Sequence, residues 1–197
     1  MTTTKTKHSK KRTSTELPRW FAWLGLLIPA ALIFVVIVAG GSSDPAGSDP
    51  AGNAAPAFDL PTTTGTQVSL DSVLADGDAL LYFSMGIGCD GCFAQIPEIE
   101  DALEAQGIRL VSVMVQSPGQ VAAEAARFGI DGPILIDADR SVSAAYDMIG
   151  VYGHNDRPSH SFALVSQDKT IKWVKHYATM FVPVDDFLND LSEDLSL

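Results

Sequence analysis

The 197-residue sequence predicts an α/β domain of three layers built on a mixed central sheet. Apolar runs with strand character alternate with amphipathic stretches at helical spacing, an order typical of parallel strands joined by covering helices. Residues 79–84 carry apolar side chains on both faces of the predicted strand, as expected at the centre of a sheet with helices on both sides. Two successive strands and a helix close the chain, which adds an antiparallel hairpin and makes the sheet mixed.

The individual elements follow from periodicity and from turn residues. A hairpin is predicted at residues 58–60 and 67–70, around a turn that contains Thr-Thr-Thr-Gly. Asp139 or Ser141 is expected to cap the helix at 141–148, because both side chains accept hydrogen bonds from helix N–H groups. The later elements are predicted at 92–105 (helix), 109–115 (strand), 119–128 (helix), 133–136 (strand), 141–148 (helix), 160–166 and 170–176 (hairpin) and 184–195 (helix).

The first 40 residues differ in composition from the rest. Residues 1–19 hold six of the 13 basic residues and are predicted to form a cytoplasmic tail. Residues 20–40 carry no charge, and about 20 residues at 1.5 Å each span roughly 30 Å, the thickness of the apolar core of a bilayer. They predict one transmembrane helix, an uncleaved anchor of a single-pass cell-membrane protein. A cleaved signal peptide is the alternative, although its apolar core is usually shorter, about 7–15 residues.

Residues 41–56 are rich in Gly, Ser, Pro and Ala and predict a flexible linker, because such a segment buries too little apolar surface to fold. Residues 57–197 are then long enough for one domain with its own core, on the extracytoplasmic side of the membrane. Beyond residue 19 the chain has seven basic residues against 23 acidic ones. This acidity argues against binding of nucleic acid or of anionic lipid surfaces.

The two cysteines of the chain form the motif Cys89-Asp90-Gly91-Cys92, shortly after the predicted central strand. At the start of a helix this spacing brings two sulfurs within reach of a disulfide, and the helix N–H groups favour the thiolate of the first cysteine. Cys89 is therefore the candidate attacking thiol and Cys92 the candidate resolving thiol. The carboxylate of Asp90 opposes a low thiol pKa, so we expect a modestly lowered pKa and a reducing poise.

Two other interpretations of the pair stay open. A two-residue loop can hold an inert structural disulfide, although so short a loop stabilises the chain little. Two thiolates also bind soft Cu(I), or supply half of a zinc site that His154, His160 and His176 would complete. No cofactor and no metal site is predicted, since exchange between sulfurs needs neither. His154 and His176 are instead expected to be solvated.

The order of elements and the prolines around the motif resemble the thioredoxin fold from residue 57 to about residue 176. Pro97 lies five residues after Cys92, where active-site helices of this fold carry a kinking proline. Pro158 stands just before the strand predicted at 160–166, where the fold places a proline that faces the dithiol. Within the fold, the sequence resembles the TlpA/ResA-like thiol–disulfide oxidoreductases and the AhpC/TSA peroxiredoxin-like proteins.

This resemblance implies roles for residues beyond the cysteines. Pro158 is expected to form a cis peptide bond that holds the backbone against the sulfurs. Tyr82 occupies roughly the position of the buried acid of thioredoxins, which leaves the proton acceptor unassigned. His160, two residues after Pro158, is either that acceptor, or a group that stabilises the Cys89 thiolate, or an edge histidine without a role.

The resemblance implies a membrane-tethered, extracytoplasmic thiol–disulfide oxidoreductase. Its expected partners are thiols or disulfides of exported proteins or cytochrome apoproteins, with a membrane or extracytoplasmic electron donor. A peroxiredoxin-like thiol peroxidase is the alternative. Peroxiredoxins place a proline seven residues, and a Thr or Ser three residues, before the reactive cysteine, and here those positions hold Tyr82 and Gly86. A metal chaperone is the third interpretation, but copper-delivery relatives with this fold generally have three residues between their cysteines.

Overall fold

The computed structural model describes residues 50–195, which belong to one compact unit. The predicted tail at 1–19, the predicted anchor at 20–40 and the first part of the predicted linker lie outside the described residues. None of the helices in the described part is both long and apolar enough to span a bilayer.

Strands and helices alternate along the described chain, followed by a hairpin and a closing helix. The strands are β1 (Asp59–Pro61), β2 (Gln67–Ser69), β3 (Ala79–Ser84), β4 (Arg109–Met114), β5 (Ile134–Ile136), β6 (His160–Val165) and β7 (Ile171–Tyr177). The helices are α1 (Leu70–Val73), α2 (Asp90–Glu104), α3 (Pro118–Arg127), α4 (Ser141–Ala145) and α5 (Val184–Leu195), with a 3-10 turn at Val151–Gly153. Each predicted element is present with ends shifted by a few residues at most, and α1 is a short helix that the periodicity does not predict.

Five of these strands form one mixed sheet in the order β5-β4-β3-β6-β7. β4 lies parallel to both β3 and β5, whereas β6 runs antiparallel to both β3 and β7. The mixed sheet predicted from the sequence is confirmed. In the β3–β6 register Tyr82 pairs with Phe162 and Ser84 with His160. The start of β6 therefore lies beside the end of β3 that leads to the cysteines.

Two apolar cores cover the two faces of this sheet, so the predicted three-layer arrangement is confirmed. On one face Leu80 and Tyr82 pack with buried residues of α2, α3 and α5. On the other face Leu81 and Phe83 pack with the β1–β2 hairpin, α1 and α4. All six side chains of β3 are buried, because they alternate between these two cores. A slip of one residue would exchange the faces, so the packing fixes which side chains point towards α2.

Residues 50–56 depart from the predicted flexible linker, because they hydrogen-bond to the edge of the sheet. The amide of Gly52 donates to the carbonyl of Ile171 at 2.8 Å, and the amide of Ile171 donates to the carbonyl of Asn53 at 2.9 Å. β7 is an outer strand, and its free backbone groups offer partners that composition does not reveal. Residues 50–56 are therefore attached to the domain predicted at 57–197.

The turn between β5 and α4 is built on Asp137, which is fully buried. One of its carboxylate oxygens accepts from the amide of Val142 at 3.2 Å, and the other accepts from the amide and the hydroxyl of Ser143 at 2.7 and 2.6 Å. The exposed Asp139 accepts from the amide of Ser141 at 3.0 Å. The start of α4 is thus held chiefly by Asp137 rather than by the predicted caps, because the chain folds back so that this carboxylate meets the helix from inside the core.

The closing helix α5 is attached to β7 by polar contacts along its length. The indole N–H of Trp173 donates to Asp194 at 2.8 Å, and the hydroxyl of Tyr177 donates to Asp190 at 2.8 Å. These bonds fix the two elements that flank residues 178–183. That connection matters for function because it passes over the first turn of α2.

Candidate active site

Residues 85–88 carry the chain from β3 to the cysteine pair, and two side chains hold this loop. The amide of the Gln116 side chain donates to the carbonyl of Met85 at 2.7 Å, and the hydroxyl of Ser84 accepts from the amide of Gly86 at 3.1 Å. Gly86 has a φ of +73°, and a Cβ atom there would lie 2.0 Å from the side-chain oxygen of Gln116. The positive φ and this close approach both favour glycine here, so the loop closes tightly against the residues that follow β4.

Cys89 and Cys92 form a disulfide at the N-terminus of α2, with their Cα atoms 5.3 Å apart. Cys89 is the N-cap residue, and its sulfur accepts from the amide of Cys92 at 3.1 Å. This sulfur lies where the helix N–H groups and dipole stabilise a negative charge. Cys92 is fully buried and Cys89 is 4 % exposed, so the small accessible part of the pair belongs to Cys89. The exposed carboxylate of Asp90 lies 3.9 Å from the guanidinium of Arg127, which offsets part of its charge.

Tyr82 and His160, both fully buried, form a polar pair next to Cys92. The hydroxyl of Tyr82 donates to the carbonyl of Cys92 at 3.2 Å and lies 3.1 Å from Nδ1 of His160. Because the single hydroxyl proton is directed to the Cys92 carbonyl, the hydrogen-bond pattern assigns the imidazole proton to Nδ1. Nε2 of His160 is then an unprotonated base, and it has no hydrogen-bond partner within residues 50–195.

Aromatic rings surround His160. Its ring centroid lies 5.0 Å from that of Tyr82, 5.2 Å from that of Phe162 and 6.0 Å from that of Tyr177. This burial lowers the pKa of His160 to about 4, so the imidazole is neutral at neutral pH. Burial also raises the pKa of Tyr82 above its usual value, so its hydroxyl stays protonated. His160 is therefore a buried neutral imidazole connected through Tyr82 to the backbone carbonyl of Cys92, and not an exposed edge residue.

Pro158 differs from its prediction. It is buried, and its peptide bond is trans, as are all peptide bonds of the described residues. The predicted cis bond is wrong for a physical reason. Pro158 forms an antiparallel bridge with Ile149, which holds the backbone extended, and a trans bond is favoured for X–Pro by about 0.5–1 kcal/mol. Pro97 lies inside α2 as predicted.

The other two histidines considered as metal ligands have separate surroundings. His176 is half-buried, and its Nδ1 lies 2.8 Å from the hydroxyl of Ser161, so the prediction that it is solvated is wrong. Burial lowers the pKa of His176, and the charge of Asp147 opposes that shift. His154 is half-buried just after the 3-10 turn. Across the described part of the chain, no group of three or more His, Cys, Asp or Glu side chains is arranged to hold a metal ion.

The connection between β7 and α5 is a part of the site that sequence reasoning missed. Met180 places its sulfur 3.8 Å from the sulfur of Cys92, although 88 positions separate them in the chain. A Cβ atom on Gly91 would lie 2.7 Å from the carbonyl oxygen of Met180. The amide of Val182 donates to the side-chain oxygen of the fully buried Gln95 at 2.7 Å. No local pattern marks these contacts, because each of them joins distant segments.

A disulfide at the start of the helix that follows a central strand of a mixed sheet defines a thioredoxin-like protein with a cysteine-pair site. Residues 50–181 match the family model described as Redoxin, and the chain belongs to the Redoxin family. It is 30 % identical over 120 residues to the thiol–disulfide oxidoreductase ResA of Bacillus subtilis, a match that covers 59 % of this chain and 63 % of ResA. It is 31 % identical over 105 residues to a Mycobacterium tuberculosis protein named as a peroxiredoxin, over 52 % of this chain and 64 % of that protein. The matches thus span slightly less than two thirds of either relative.

Solved structures confirm the thioredoxin-like fold. The peroxidoxin BcpB of Mycobacterium tuberculosis superposes with a TM-score of 0.61 at 22 % identity, over 75 % of this chain and 97 % of that one. The thiol peroxidase of Chromobacterium violaceum gives a TM-score of 0.60 at 18 % identity, over 73 % of this chain and 86 % of that one. Identities this low show the shared fold, and the activity has to be argued from the residues of the site.

Proposed function

We propose that this chain is a thiol–disulfide oxidoreductase whose reacting groups are the sulfurs of Cys89 and Cys92. The observation that carries the proposal is the asymmetry of the pair at the N-terminus of α2, where Cys89 keeps a small exposed part, 4 %, and Cys92 is fully buried. A bridge across so short a loop adds little stability, which weakens the case for a structural disulfide. Membership of the Redoxin family and the similarity to ResA support the proposal.

The chemistry takes two exchange steps. In the reduced protein the Cys89 thiolate attacks one sulfur of a target disulfide, a mixed disulfide forms, and the other target sulfur leaves as a thiolate. Cys92 then loses its proton and attacks the sulfur of Cys89, which breaks the mixed disulfide and restores the Cys89–Cys92 bond. The target gains two electrons and two protons, and the cysteine pair loses them.

The buried polar pair holds the backbone of Cys92, the resolving residue of the second step. The hydroxyl of Tyr82 bonds to the Cys92 carbonyl and lies against Nδ1 of His160. Burial lowers the pKa of His160 to about 4, so the neutral imidazole is a weak base for a thiol proton and carries no positive charge to stabilise the Cys89 thiolate. Of the roles expected for His160, neither fits the neutral ring well, and we propose that the pair positions Cys92 through its carbonyl.

A thiol peroxidase is the second candidate, and the peroxiredoxin-named relative favours it. The same dithiol would reduce a hydroperoxide to an alcohol and water while it forms the disulfide. Peroxiredoxins have Pro and Thr or Ser at the positions of Tyr82 and Gly86, and neither residue here can replace them in binding a peroxide. The hydroxyl of Tyr82 donates its hydrogen bond to the backbone carbonyl of Cys92, and Gly86 has no side chain to bind a peroxide. Disulfide exchange is therefore our first proposal.

The proposed setting is the outer face of a membrane. Residues 20–40 would anchor the chain there, because they are apolar and follow a basic segment. The proposed partners are thiols or disulfides of exported proteins or cytochrome apoproteins, with electrons from a membrane or extracytoplasmic donor. Intact cells that express the full chain are expected to show Cys89 labelling, after mild reduction, by a maleimide that does not cross membranes. Labelling seen only after lysis would contradict this location.

A redox equilibrium tests the proposed activity. The full-length chain is expected to show a reversible two-electron transition between about −270 and −180 mV when it is equilibrated with defined glutathione or dithiothreitol ratios. Trapping with a maleimide, read by intact mass, gives the reduced fraction of the Cys89–Cys92 pair. A midpoint potential near −270 mV would indicate a reductant, and one near −180 mV an isomerase-like disulfide donor. A pair that stays oxidised down to about −300 mV would be a structural bridge and would overturn the proposal.

A further inference from the structure

Residues 178–183 lie across the first turns of α2 and contact it at three points. The sulfur of Met180 lies 3.8 Å from the sulfur of Cys92. The carbonyl of Met180 packs so closely on Gly91 that a side chain there would overlap it. The amide of Val182 donates to the side-chain oxygen of Gln95 at 2.7 Å. The segment is thus held on both sides of the point where Met180 meets the buried sulfur.

Met180 is a half-buried side chain whose sulfur contacts that of the fully buried Cys92. One side of Met180 lies against the apolar core and the other is accessible. In the reduced protein the Cys92 thiol has the thioether of Met180 beside it as a weak acceptor. A partner that approaches the disulfide therefore meets Cys89 or the Met180 side chain, and does not meet Cys92.

A disulfide offers two sulfurs to an incoming thiolate, and they are not equivalent for function. Attack on Cys89 leaves Cys92 as the buried resolving thiol, as the two-step exchange requires. Attack on Cys92 would instead place the partner inside the core and expel the Cys89 sulfur. We propose that residues 178–183 form a cover over Cys92, with Met180 as the positioning residue that directs exchange to Cys89. This inference rests on the proposed disulfide exchange and names the residue that sets its site of attack.

Gln95 and Gly91 make the cover possible. Gln95 is a fully buried amide whose side-chain oxygen holds the Val182 amide, while its Nε2 has no partner in the described structure. Burying the unpartnered Nε2 of Gln95 costs stability, and an apolar side chain at this position would avoid that cost. The contact that Gln95 provides in return is the hydrogen bond to the Val182 amide. Gly91 provides the space into which the Met180 backbone fits. The cover therefore depends on two residues of α2 as well as on Met180.

The test uses the full-length chain with Cys89→Ser, so that Cys92 is the only thiol, and measures its rate of alkylation by iodoacetamide. The reaction is expected to be slow while Met180 is present. Met180→Ala is expected to raise the rate about tenfold or more, because thiol reactivity depends on access. Met180→Leu is expected to stay slow, since a side chain of similar size closes the same gap.

Two further variants control this result. Phe181→Ala removes a larger side chain, 40 % exposed, from the same segment and is expected to leave the Cys92 rate unchanged. Gln95→Leu keeps Met180 but removes the acceptor of the Val182 amide, so it is expected to raise the rate by loosening the cover. Thermal melting followed by circular dichroism verifies that each variant is folded. A Cys92 rate that neither Met180→Ala nor Gln95→Leu raises would overturn the inference.

The outcome separates the cover from the proposed function. In the chain with both cysteines, failure of the pair to exchange with glutathione overturns the proposed function, whatever the alkylation rates are. Normal exchange, with a Cys92 rate that does not respond to Met180→Ala or to Gln95→Leu, overturns the cover alone. Normal exchange with the expected increase supports both. If both are supported, glutathione is expected to form mixed disulfides with Cys92 as well as with Cys89 in the Met180→Ala chain.

Discussion

Cys89→Ser is expected to lower the rate of disulfide reduction by a factor of about 10³ or more, because it removes the attacking sulfur. Cys92→Ser is expected to leave the first exchange step intact and to stop the reaction there. Cys89 caps α2 and is the accessible member of the pair, whereas Cys92 is fully buried. The two variants should therefore fail in different ways, although each removes one sulfur of the same disulfide.

The two failures are measured by intact mass and by rate. With a glutathionylated peptide as substrate, Cys92→Ser is expected to accumulate one covalent adduct per chain, located on Cys89 by fragmentation. Cys89→Ser is expected to accumulate none, because the remaining thiol lies beneath Met180. Phe181→Ala, at an exposed residue near the site, serves as a control for substitution there. Adducts on Cys92 in the Cys89→Ser chain, at the wild-type rate, would reverse the two assigned roles.

The framework of the site could be predicted from the sequence because it rests on local patterns. The run Ala79–Ser84 is buried on both faces, as its apolar character predicts, and the helix that carries the cysteine motif follows it. The closing helix spans Val184–Leu195, as its apolar spacing predicts. The apolar periodicity and the cysteine motif each involve residues close together in the chain. A single sequence is therefore enough to predict where these elements lie.

Contacts between distant segments could not be predicted in this way. His160 and Tyr82 are 78 positions apart, and Met180 and Cys92 are 88 positions apart. A single sequence identifies candidate residues at such positions but does not say which of them meet. The resemblance makes His160 a candidate because it follows Pro158, but no motif marks the tyrosine hydroxyl that lies against its imidazole.

Backbone partners explain the remaining errors. The cis bond expected at Pro158 gives way to an extended pairing with Ile149. The composition of residues 50–56 predicts a linker, but the open edge of β7 supplies hydrogen bonds that order this segment. In both cases the conformation is decided by another part of the chain, and local composition indicates only what the segment would do alone.

His160→Phe is expected to remove much of the loss of stability that the wild-type protein shows between pH 6.5 and pH 4. The pKa of His160 is about 4 in the folded protein, because burial disfavours the charged imidazole, and about 6.5 in the unfolded chain. Between these values the unfolded chain binds a proton that the folded chain does not. The free energy of unfolding therefore falls as the pH falls through this window, by up to about 3 kcal/mol from this residue.

Urea denaturation at several pH values measures this loss as a difference between the two proteins. The lowered pKa of His176 adds a loss of the same sign, but it is common to both and cancels. Tyr82→Phe is the matched control, since it removes the bonds to Cys92 and His160 while the imidazole stays buried and the pH dependence is retained. Equal pH dependence in wild type and His160→Phe would show that the histidine is not held neutral.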